Sequence, residues 1–164
     1  IEAIEINPGY TKAYGNLGKL YTENQEYKLA EDILKTIIQI DAGYADGFMR
    51  LGLLYIEQEK FELAAENLVM ATSLDEKDYF KFFNLAAAYN QLKQWENATS
   101  AAQSCVDLNQ KFGGGWLEFG LAEMGRRNKT RAKKYFDEAR KDRDWREMAE
   151  RKIDEINNPE KYEK

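Results

Sequence analysis

The sequence predicts an all-α protein, a solenoid of four helix-turn-helix repeats with part of a repeat at the N-terminus and a capping helix at the C-terminus. Three observations predict it. Apolar residues recur at steps of three and four, as in Leu17, Leu20 and Tyr21, which is the helical period. Only two prolines occur, Pro8 and Pro159, one near each end, so nothing between them needs to break a helix. The third observation is an internal repeat of 34 residues.

The repeat is visible as residues of one type that recur at a fixed spacing. Its aromatic position is followed four residues later by a small residue, and its second half contains a repeated alanine. These positions hold Tyr14, Phe48, Phe82 and Trp116, then Gly18, Gly52, Ala86 and Gly120, and then Ala30, Ala64, Ala98 and Ala132. No insertion interrupts the spacing, so the repeats are 11–44, 45–78, 79–112 and 113–146.

Each element of the repeat has a physical reason. The small residue follows a large apolar residue, as Gly18 follows Leu17, and only a small side chain lets one helix of a pair approach its neighbour closely. Tyr27, Phe61 and Trp95 are also 34 residues apart. We expect these aromatic residues to precede the second helix of each repeat and to wedge the hairpin.

Both ends of the chain depart from the repeat. Residues 1–10 fit the end of a preceding repeat, and the chain starts at Ile1 rather than at methionine, which indicates a piece of a longer array. Residues 147–164 are predicted to form a capping helix and a tail that cover the open end of the stack with a polar outer face. The apolar face of this helix is expected to hold Met148, Ala149, Ile153 and Ile156.

Composition and charge exclude several functional classes. A formal net charge of −5 is unfavourable for nucleic acid, because phosphate binding needs an excess of Lys and Arg. No stretch is apolar for long enough to span a membrane. The chain has no histidine and a single cysteine, Cys105, so His-dependent catalysis and a thiolate metal cluster are excluded. We therefore expect no enzyme activity, no cofactor and no metal, and we place Cys105 in the core.

Three consecutive glycines, Gly113 to Gly115, look at first like a nucleotide loop. A dinucleotide fingerprint needs a further spaced glycine where this chain has Glu118, and a P-loop needs Gly-Lys-Ser/Thr where it has Gly115 and Trp116. The glycines occupy the first three positions of the fourth repeat. The sequence therefore predicts that they form the turn between repeats and the first turn of a helix.

The aromatic, small and alanine positions of the 34-residue unit resemble the tetratricopeptide repeat (TPR) family. The resemblance extends over essentially the whole chain. It implies a right-handed superhelix of helical hairpins whose first helices line a concave groove. Such a groove is the usual binding surface of a helical solenoid.

The resemblance also implies which positions of each first helix line the groove. In this sequence they form a mainly apolar stripe across three repeats, which we take as the candidate partner-binding site. Its residues are Met49, Arg50, Leu53, Ile56, Phe80, Phe83, Asn84, Leu117, Leu121 and Met124. The alternative is that some of these side chains are buried between successive first helices or covered by further repeats of a longer protein.

The candidate site does not reproduce the TPR clamp that grips the carboxylate of chaperone tails, because in either register several of the required Lys, Asn and Arg positions hold other residues. An exposed apolar stripe favours another protein as the partner, through an amphipathic helix or an extended apolar peptide. The expected function is a non-catalytic interaction scaffold. Two alternatives remain open, namely the regulatory or substrate-recruiting array of a larger enzyme and a homo-oligomer that assembles through its own groove.

Overall fold

The computed structural model describes residues 8–162, with side chains from residue 10 onward. Within this range the chain forms nine α-helices and a short 3-10 helix at Pro159–Lys161, and it contains no β-strand. The helices are α1 (Pro8–Glu23), α2 (Tyr27–Ile40), α3 (Ala45–Glu57), α4 (Phe61–Leu74), α5 (Tyr79–Gln91), α6 (Trp95–Leu108), α7 (Gly113–Gly125), α8 (Lys129–Ala139) and α9 (Arg146–Asn157). The predicted all-α fold of helical hairpins is confirmed. Most of the predicted preceding repeat, residues 1–7, lies outside the described range.

The helices group into two compact units, Ile1–Glu76 with α1 to α4 and Lys77–Lys164 with α5 to α9. We call them the N-terminal unit and the C-terminal unit. Successive helices pair as hairpins, α1 with α2, α3 with α4, α5 with α6 and α7 with α8. The predicted right-handed superhelix concerns both units together and stays a prediction.

The repeated small residue makes close packing within each hairpin possible. A Cβ atom on Gly18 would lie 2.7 Å from Cδ2 of Leu34, and a Cβ atom on Gly120 would lie 2.3 Å from Cε1 of Phe136. Both distances are shorter than van der Waals contact, so neither position accepts a larger side chain without displacing the side chain of Leu34 or Phe136. In the third hairpin the small residue is Ala86, which is fully buried.

The turn inside every hairpin uses the same left-handed backbone conformation. The residues with positive φ are 34 positions apart and none of them is glycine: Gln25 (62°), Glu59 (57°), Lys93 (57°) and Arg127 (63°). In the second hairpin the N–H of Glu59 donates to the carbonyl of Ile56, and the N–H of Lys60 donates to that of Tyr55. These two bonds satisfy the last carbonyls of the first helix, as in a Schellman motif.

The aromatic residues expected to precede the second helices are instead the first residues of those helices. Tyr27, Phe61 and Trp95 begin α2, α4 and α6, and the residues before them act as N-caps. Because the turn is completed by the left-handed residue and the N-cap, the aromatic side chain starts the helix. This corrects the expectation by one position.

The core of the C-terminal unit includes α9, which packs against α8. Ala149 is fully buried, and Ile153 and Ile156 pack against a buried cluster that contains Leu117 and Phe136. Met148, expected on the same apolar face, is exposed. The apolar face of α9 is therefore narrower than the sequence pattern indicated.

Candidate functional site

The ten residues predicted to line a groove lie on first helices of hairpins, and the structure divides them between the two units. Four are on α3 in the N-terminal unit, and six are on α5 and α7 in the C-terminal unit. Within the N-terminal unit α1 contacts α3, and within the C-terminal unit α5 contacts α7. Each unit therefore has its own surface formed by first helices.

In the N-terminal unit the four predicted residues, Met49, Arg50, Leu53 and Ile56, are all half-buried. The guanidinium Nη2 of Arg50 donates to Oδ1 of Asn16 at 3.1 Å. These two residues occupy the same position of adjacent repeats, 34 residues apart. One hydrogen bond thus joins the same repeat position of α1 and α3 on this surface.

Tyr44 adds to this surface although the sequence did not indicate it. Its hydroxyl lies 3.0 Å from the point where a Cβ atom on Gly15 would be, and Nε of Arg50 lies 3.4 Å from the same point. The tyrosine ring therefore covers α1 where the helix has no side chain. Burial raises the pKa of the Tyr44 hydroxyl, so the group stays protonated at neutral pH.

In the C-terminal unit the six predicted residues differ in exposure. Phe80 is 39% exposed, and Phe83, Leu121 and Met124 are half-buried. Leu117 is only 1% exposed and belongs to the core cluster. Its side chain does not reach the surface in this structure.

Asn84, the remaining predicted residue of this unit, is 5% exposed. Its side-chain amide donates to the carbonyl of Phe80 at 2.7 Å, one turn earlier on α5. The side-chain amide of Asn84 thus forms a hydrogen bond within its own helix.

Phe83 belongs to an aromatic cluster that includes residues from the loops before α7 and α9. Its ring lies 5.2 Å from that of Phe112 and 5.5 Å from that of Trp145, both in edge-to-face geometry. Phe112 and Trp145 also contact each other, at 5.8 Å. Edge-to-face pairs of this kind add about 0.5–1.5 kcal/mol beyond the area they bury. Phe83 therefore stabilises the unit in addition to lining its surface.

An open pocket of about 350 Å³ lies between α5, the start of α6 and α7 in the C-terminal unit. It contains two of the predicted residues, Leu121 and Met124. The pocket is lined by Asn90, Gln91, Trp95, Leu121, Met124 and Gly125. Gly125 is required for this shape, because a Cβ atom there would lie 2.4 Å from Cδ2 of the Trp95 ring.

A buried polar pair lies beside this pocket. The Nδ2 group of Asn90 donates to the backbone carbonyl of Glu118 at 2.9 Å and to Oε2 of the same residue at 2.8 Å. Oδ1 of Asn90 is buried and accepts no hydrogen bond from any residue between 8 and 162. An unsatisfied buried acceptor costs about 1–3 kcal/mol.

Burial raises the pKa of Glu118 to about 7, although the hydrogen bond from Asn90 acts in the opposite direction. The residue is 8% exposed, and removal from water disfavours the carboxylate more than one neutral donor stabilises it. Glu118 therefore changes its charge near neutral pH.

Comparison with known proteins identifies the repeat. A family model for the tetratricopeptide repeat matches residues 11–44 and 45–78. The structure is similar to a crystal structure of MamA, with a TM-score of 0.73 and 22% identity over 81% of this chain and 78% of that chain. The chain has a tetratricopeptide-repeat fold. The resemblance inferred from the sequence is thus confirmed.

Two further TPR structures are similar to this chain. YrrB, described as a TPR protein with an unusual peptide-binding site, has a TM-score of 0.71 and 22% identity over 79% of this chain and 66% of that chain. MamA from Desulfovibrio magneticus RS-1, taken from position 41 to its end, has a TM-score of 0.72 and 17% identity over 79% and 73% of the two chains. No curated protein sequence matches this chain.

The glycine triplet forms the first turn of α7, as predicted, whereas the preceding turn ends just before it at Phe112. All three glycines are buried. The N–H of Gly113 donates to Oδ2 of Asp142 at 2.8 Å, and a Cβ atom on Gly113 would lie 2.7 Å from the carbonyl oxygen of Ala139. A carboxylate of the protein itself thus occupies the place where a helix N-terminus would bind a phosphate.

Other sequence expectations concern chemistry and membranes. Cys105 is buried, and burial, with smaller contributions from the Glu118 and Asp78 carboxylates, raises the pKa of its thiol to about 12. Its predicted place in the core is confirmed. Among residues 8–162 no group of His, Cys, Asp or Glu is arranged to hold a metal ion. No helix in that range is long and apolar enough to cross a membrane.

Further residues, outside the ten-residue candidate site, complete the C-terminal surface. Asn90, Gln91 and Trp95 line the pocket, and Phe112 and Trp145 pack on Phe83. A sequence signal was available for Phe112, because this residue and Tyr44 are aromatic and occupy the same repeat position directly before a first helix. Asn90 and Gln91 are the twelfth and thirteenth residues of the third repeat, positions that the resemblance to the TPR family places in the groove.

Proposed function

We propose that this chain is a non-catalytic scaffold that binds an apolar or amphipathic segment of a partner protein on the surfaces formed by its first helices. The TPR fold supports a role in protein interaction. The observation that carries the proposal is the C-terminal surface, where the exposed Phe80 and the half-buried Phe83 lie on α5 and an open pocket reaches Leu121 and Met124. Accessible apolar side chains and a pocket on one pair of helices are typical of a peptide-binding site.

The proposal differs in part from the ten-residue site inferred from the sequence. It retains the accessible residues, Met49, Arg50, Leu53 and Ile56 in the N-terminal unit and Phe80, Phe83, Leu121 and Met124 in the C-terminal unit. Leu117 and Asn84 are buried beneath the surface of the C-terminal unit. The description of YrrB as peptide-binding supports the same kind of partner.

The first test is a selection from a random peptide library displayed on phage, with the whole chain as the target. We expect enrichment of peptides with large apolar residues, and we expect the binding of a selected peptide to fall at least about tenfold in Phe80→Asp. Leu108→Asp is the matched control, since Leu108 is a similarly exposed apolar residue, at 43%, on the second helix α6.

Circular dichroism and thermal unfolding of both variants confirm that they fold before binding is measured. Equal loss of binding in Phe80→Asp and Leu108→Asp would show that the peptide does not use the first-helix surface. If no apolar peptides are enriched, the proposed function is wrong.

A further inference from the structure

The second helix α4 of the N-terminal unit is apolar on its outer face as well as on its inner face. On the inner face Ala64 and Leu68 are fully buried. On the outer face Leu63, Met70 and Leu74 are 41%, 44% and 41% exposed. Their spacings of seven and four residues place these three side chains on one side of the helix, and we call them the α4 stripe. The outer side of a surface helix normally carries polar residues, so the stripe indicates an interaction surface.

Two carboxylates flank the α4 stripe. Glu62 and Glu66 are exposed and lie one helical turn apart. Glu66 is three residues from Leu63 and four from Met70, which makes it a neighbour of both on the helix surface. No Lys or Arg occurs between positions 61 and 76. The α4 stripe is thus bordered by negative charge, with no basic residue on the same helix to neutralise it.

The second helix α2 of the same unit carries a similar pattern. Leu29 is 49% exposed, and together with the half-buried Ile33 and Ile40 it lines an open pocket of about 310 Å³ beside α1. Asp32 lines the same pocket and occupies the repeat position of Glu66. Both α2 and α4 pack against α3. The outer faces of these two second helices therefore combine exposed apolar side chains with a carboxylate at the same position.

The second helices of the C-terminal unit lack this pattern, although their repeat positions are the same. At the positions of Leu63, Glu66 and Met70, α6 has Asn97, Ser100 and Ser104, and α8 has Arg131, Lys134 and Glu138. The hairpin fold therefore does not require apolar residues at these positions. The exposed apolar side chains of α2 and α4 are available for another molecule.

We propose that the outer faces of α2 and α4 bind a basic amphipathic helix of a partner protein. The apolar side of that helix covers the α4 stripe and places one large side chain in the pocket beside α2, and its Lys or Arg residues face Asp32 and Glu66. Apolar burial supplies the affinity, and the opposite charges orient the partner and exclude acidic competitors. The same carboxylates disfavour an anionic membrane surface, which attracts basic segments. This surface is distinct from those of the first helices, so the inference does not rest on the proposed function.

The test uses a matched pair of peptides of about 18 residues. Both have leucine at helical spacing, and the remaining positions are lysine in one peptide and glutamate in the other. Each is titrated at physiological ionic strength into the whole chain, labelled at its methionine methyl groups and followed by NMR. We expect the lysine peptide to shift the signal of Met70, and the glutamate peptide to bind at least about tenfold more weakly.

The four methionines report on different surfaces of the chain. Met70 is on α4, Met49 and Met124 are on the first helices α3 and α7, and Met148 is on α9. We expect the signals of Met49, Met124 and Met148 to remain unchanged. Shifts confined to Met49 and Met124 would place the peptide on the first-helix surfaces and would overturn the proposal.

A matched pair of variants removes the same residue from each unit. Leu74 and Leu108 occupy the same repeat position, on α4 and α6, and are 41% and 43% exposed. We expect Leu74→Ser to weaken binding of the lysine peptide about fivefold and Leu108→Ser to leave it unchanged. Thermal unfolding confirms that both variants fold. Equal binding by the two variants would contradict the assignment to α4.

A double variant, Leu63→Asn with Met70→Ser, gives α4 the residues that α6 has at these positions. Fluorescence anisotropy of a labelled lysine peptide should then show a loss of at least about tenfold. Two other occupants are tested with the same variant. A wild-type dimer in sedimentation velocity that the double variant loses would assign the surface to a second copy. Co-sedimentation with phosphatidylserine vesicles that the double variant loses would assign it to a membrane, and either result would overturn the proposal.

Discussion

One position of the repeat is accessible in the N-terminal unit and buried in the C-terminal unit. In the N-terminal unit it holds Asn16 and Arg50, which form an exposed hydrogen bond with each other. In the C-terminal unit the same position holds Asn84 and Glu118, which are 5% and 8% exposed and bond to Phe80 and Asn90 instead. The position on the helix is the same, and the environment differs. A repeat register thus predicts where a residue lies on a helix, but not whether a partner protein can reach it.

The preceding position of the repeat, which holds Met49 and Leu117, should show the largest difference between the units in the effect of a mutation on the free energy of unfolding. Leu117 is 1% exposed, whereas Met49, 68 residues earlier at the same position, is half-buried. We expect Leu117→Ala to lower the free energy of unfolding by about 4 kcal/mol, because it leaves a cavity in the core. Met49→Ala should cost only about 1 kcal/mol.

Urea unfolding followed by circular dichroism measures both changes. The two variants serve as controls for each other because each removes one large side chain from a first helix. Similar losses in both would show that the two units bury this position equally.

The titration of Glu118 should have the next largest effect on the free energy of unfolding. Its pKa is about 7 in the folded protein and 4.5 in a solvated reference, so the folded state holds the proton more tightly. The contribution of this residue to the free energy of unfolding is therefore largest below pH 4.5 and decreases as the pH rises through 7, by about 3 kcal/mol. The Cys105 thiol beside it stays neutral over this range, because its pKa is about 12.

Glu118→Gln keeps an acceptor for Asn90 and cannot ionise. We expect the variant to be more stable than the wild type at pH 8 and similar to it at pH 4, as measured by urea unfolding at both values. A difference in stability that is the same at both pH values would contradict the raised pKa.

The hairpin turns should respond alike in the two units, which sharpens the comparison. Glu59 in the N-terminal unit and Lys93 in the C-terminal unit both have a φ of 57°. This conformation is unfavourable for residues with a Cβ atom, so we expect Glu59→Gly and Lys93→Gly each to raise the melting temperature, with a gain of about 1 kcal/mol. If only one variant is stabilised, side-chain contacts of the native residue hold the turn in the other unit.

The exposed hydrogen bond between Asn16 and Arg50 in the N-terminal unit should contribute least to the free energy of unfolding. Asn16→Ala removes the hydrogen bond to Arg50, and we expect a change of about 0.5 kcal/mol or less, because both groups are solvated when they are unpaired. Asn84→Ala is the matched change in the C-terminal unit and should cost more, about 1 kcal/mol, since the amide is buried. Thermal unfolding measures both variants, and equal values would remove the contrast between the two positions.

The repeat and the hairpins could be predicted because their causes lie in local spacing. Gly18 and Gly120 were predicted from the sequence as places where helices approach, and the structure shows Leu34 and Phe136 in that space. The left-handed turn was missed because Gln, Glu, Lys and Arg occupy it. None of these is a residue type that indicates positive φ.

The candidate site could be predicted only in part, because burial depends on residues that are distant in sequence. Phe83 contacts Phe112 and Trp145, and Asn90 bonds to Glu118, 28 residues further on. A pattern read along one helix contains no information about such neighbours.

The sequence by itself determined the all-α class, the 34-residue hairpin and the close contacts within it, since hydrophobic period and side-chain size act over a few turns of helix. Only the tertiary structure decided which first-helix residues are accessible. It buried Leu117 and Asn84, left Phe80 exposed and oriented the Asn90 amide. The physical reason is that exposure and hydrogen-bond pairing are set by packing between elements, and in this chain equivalent repeats pack against different neighbours.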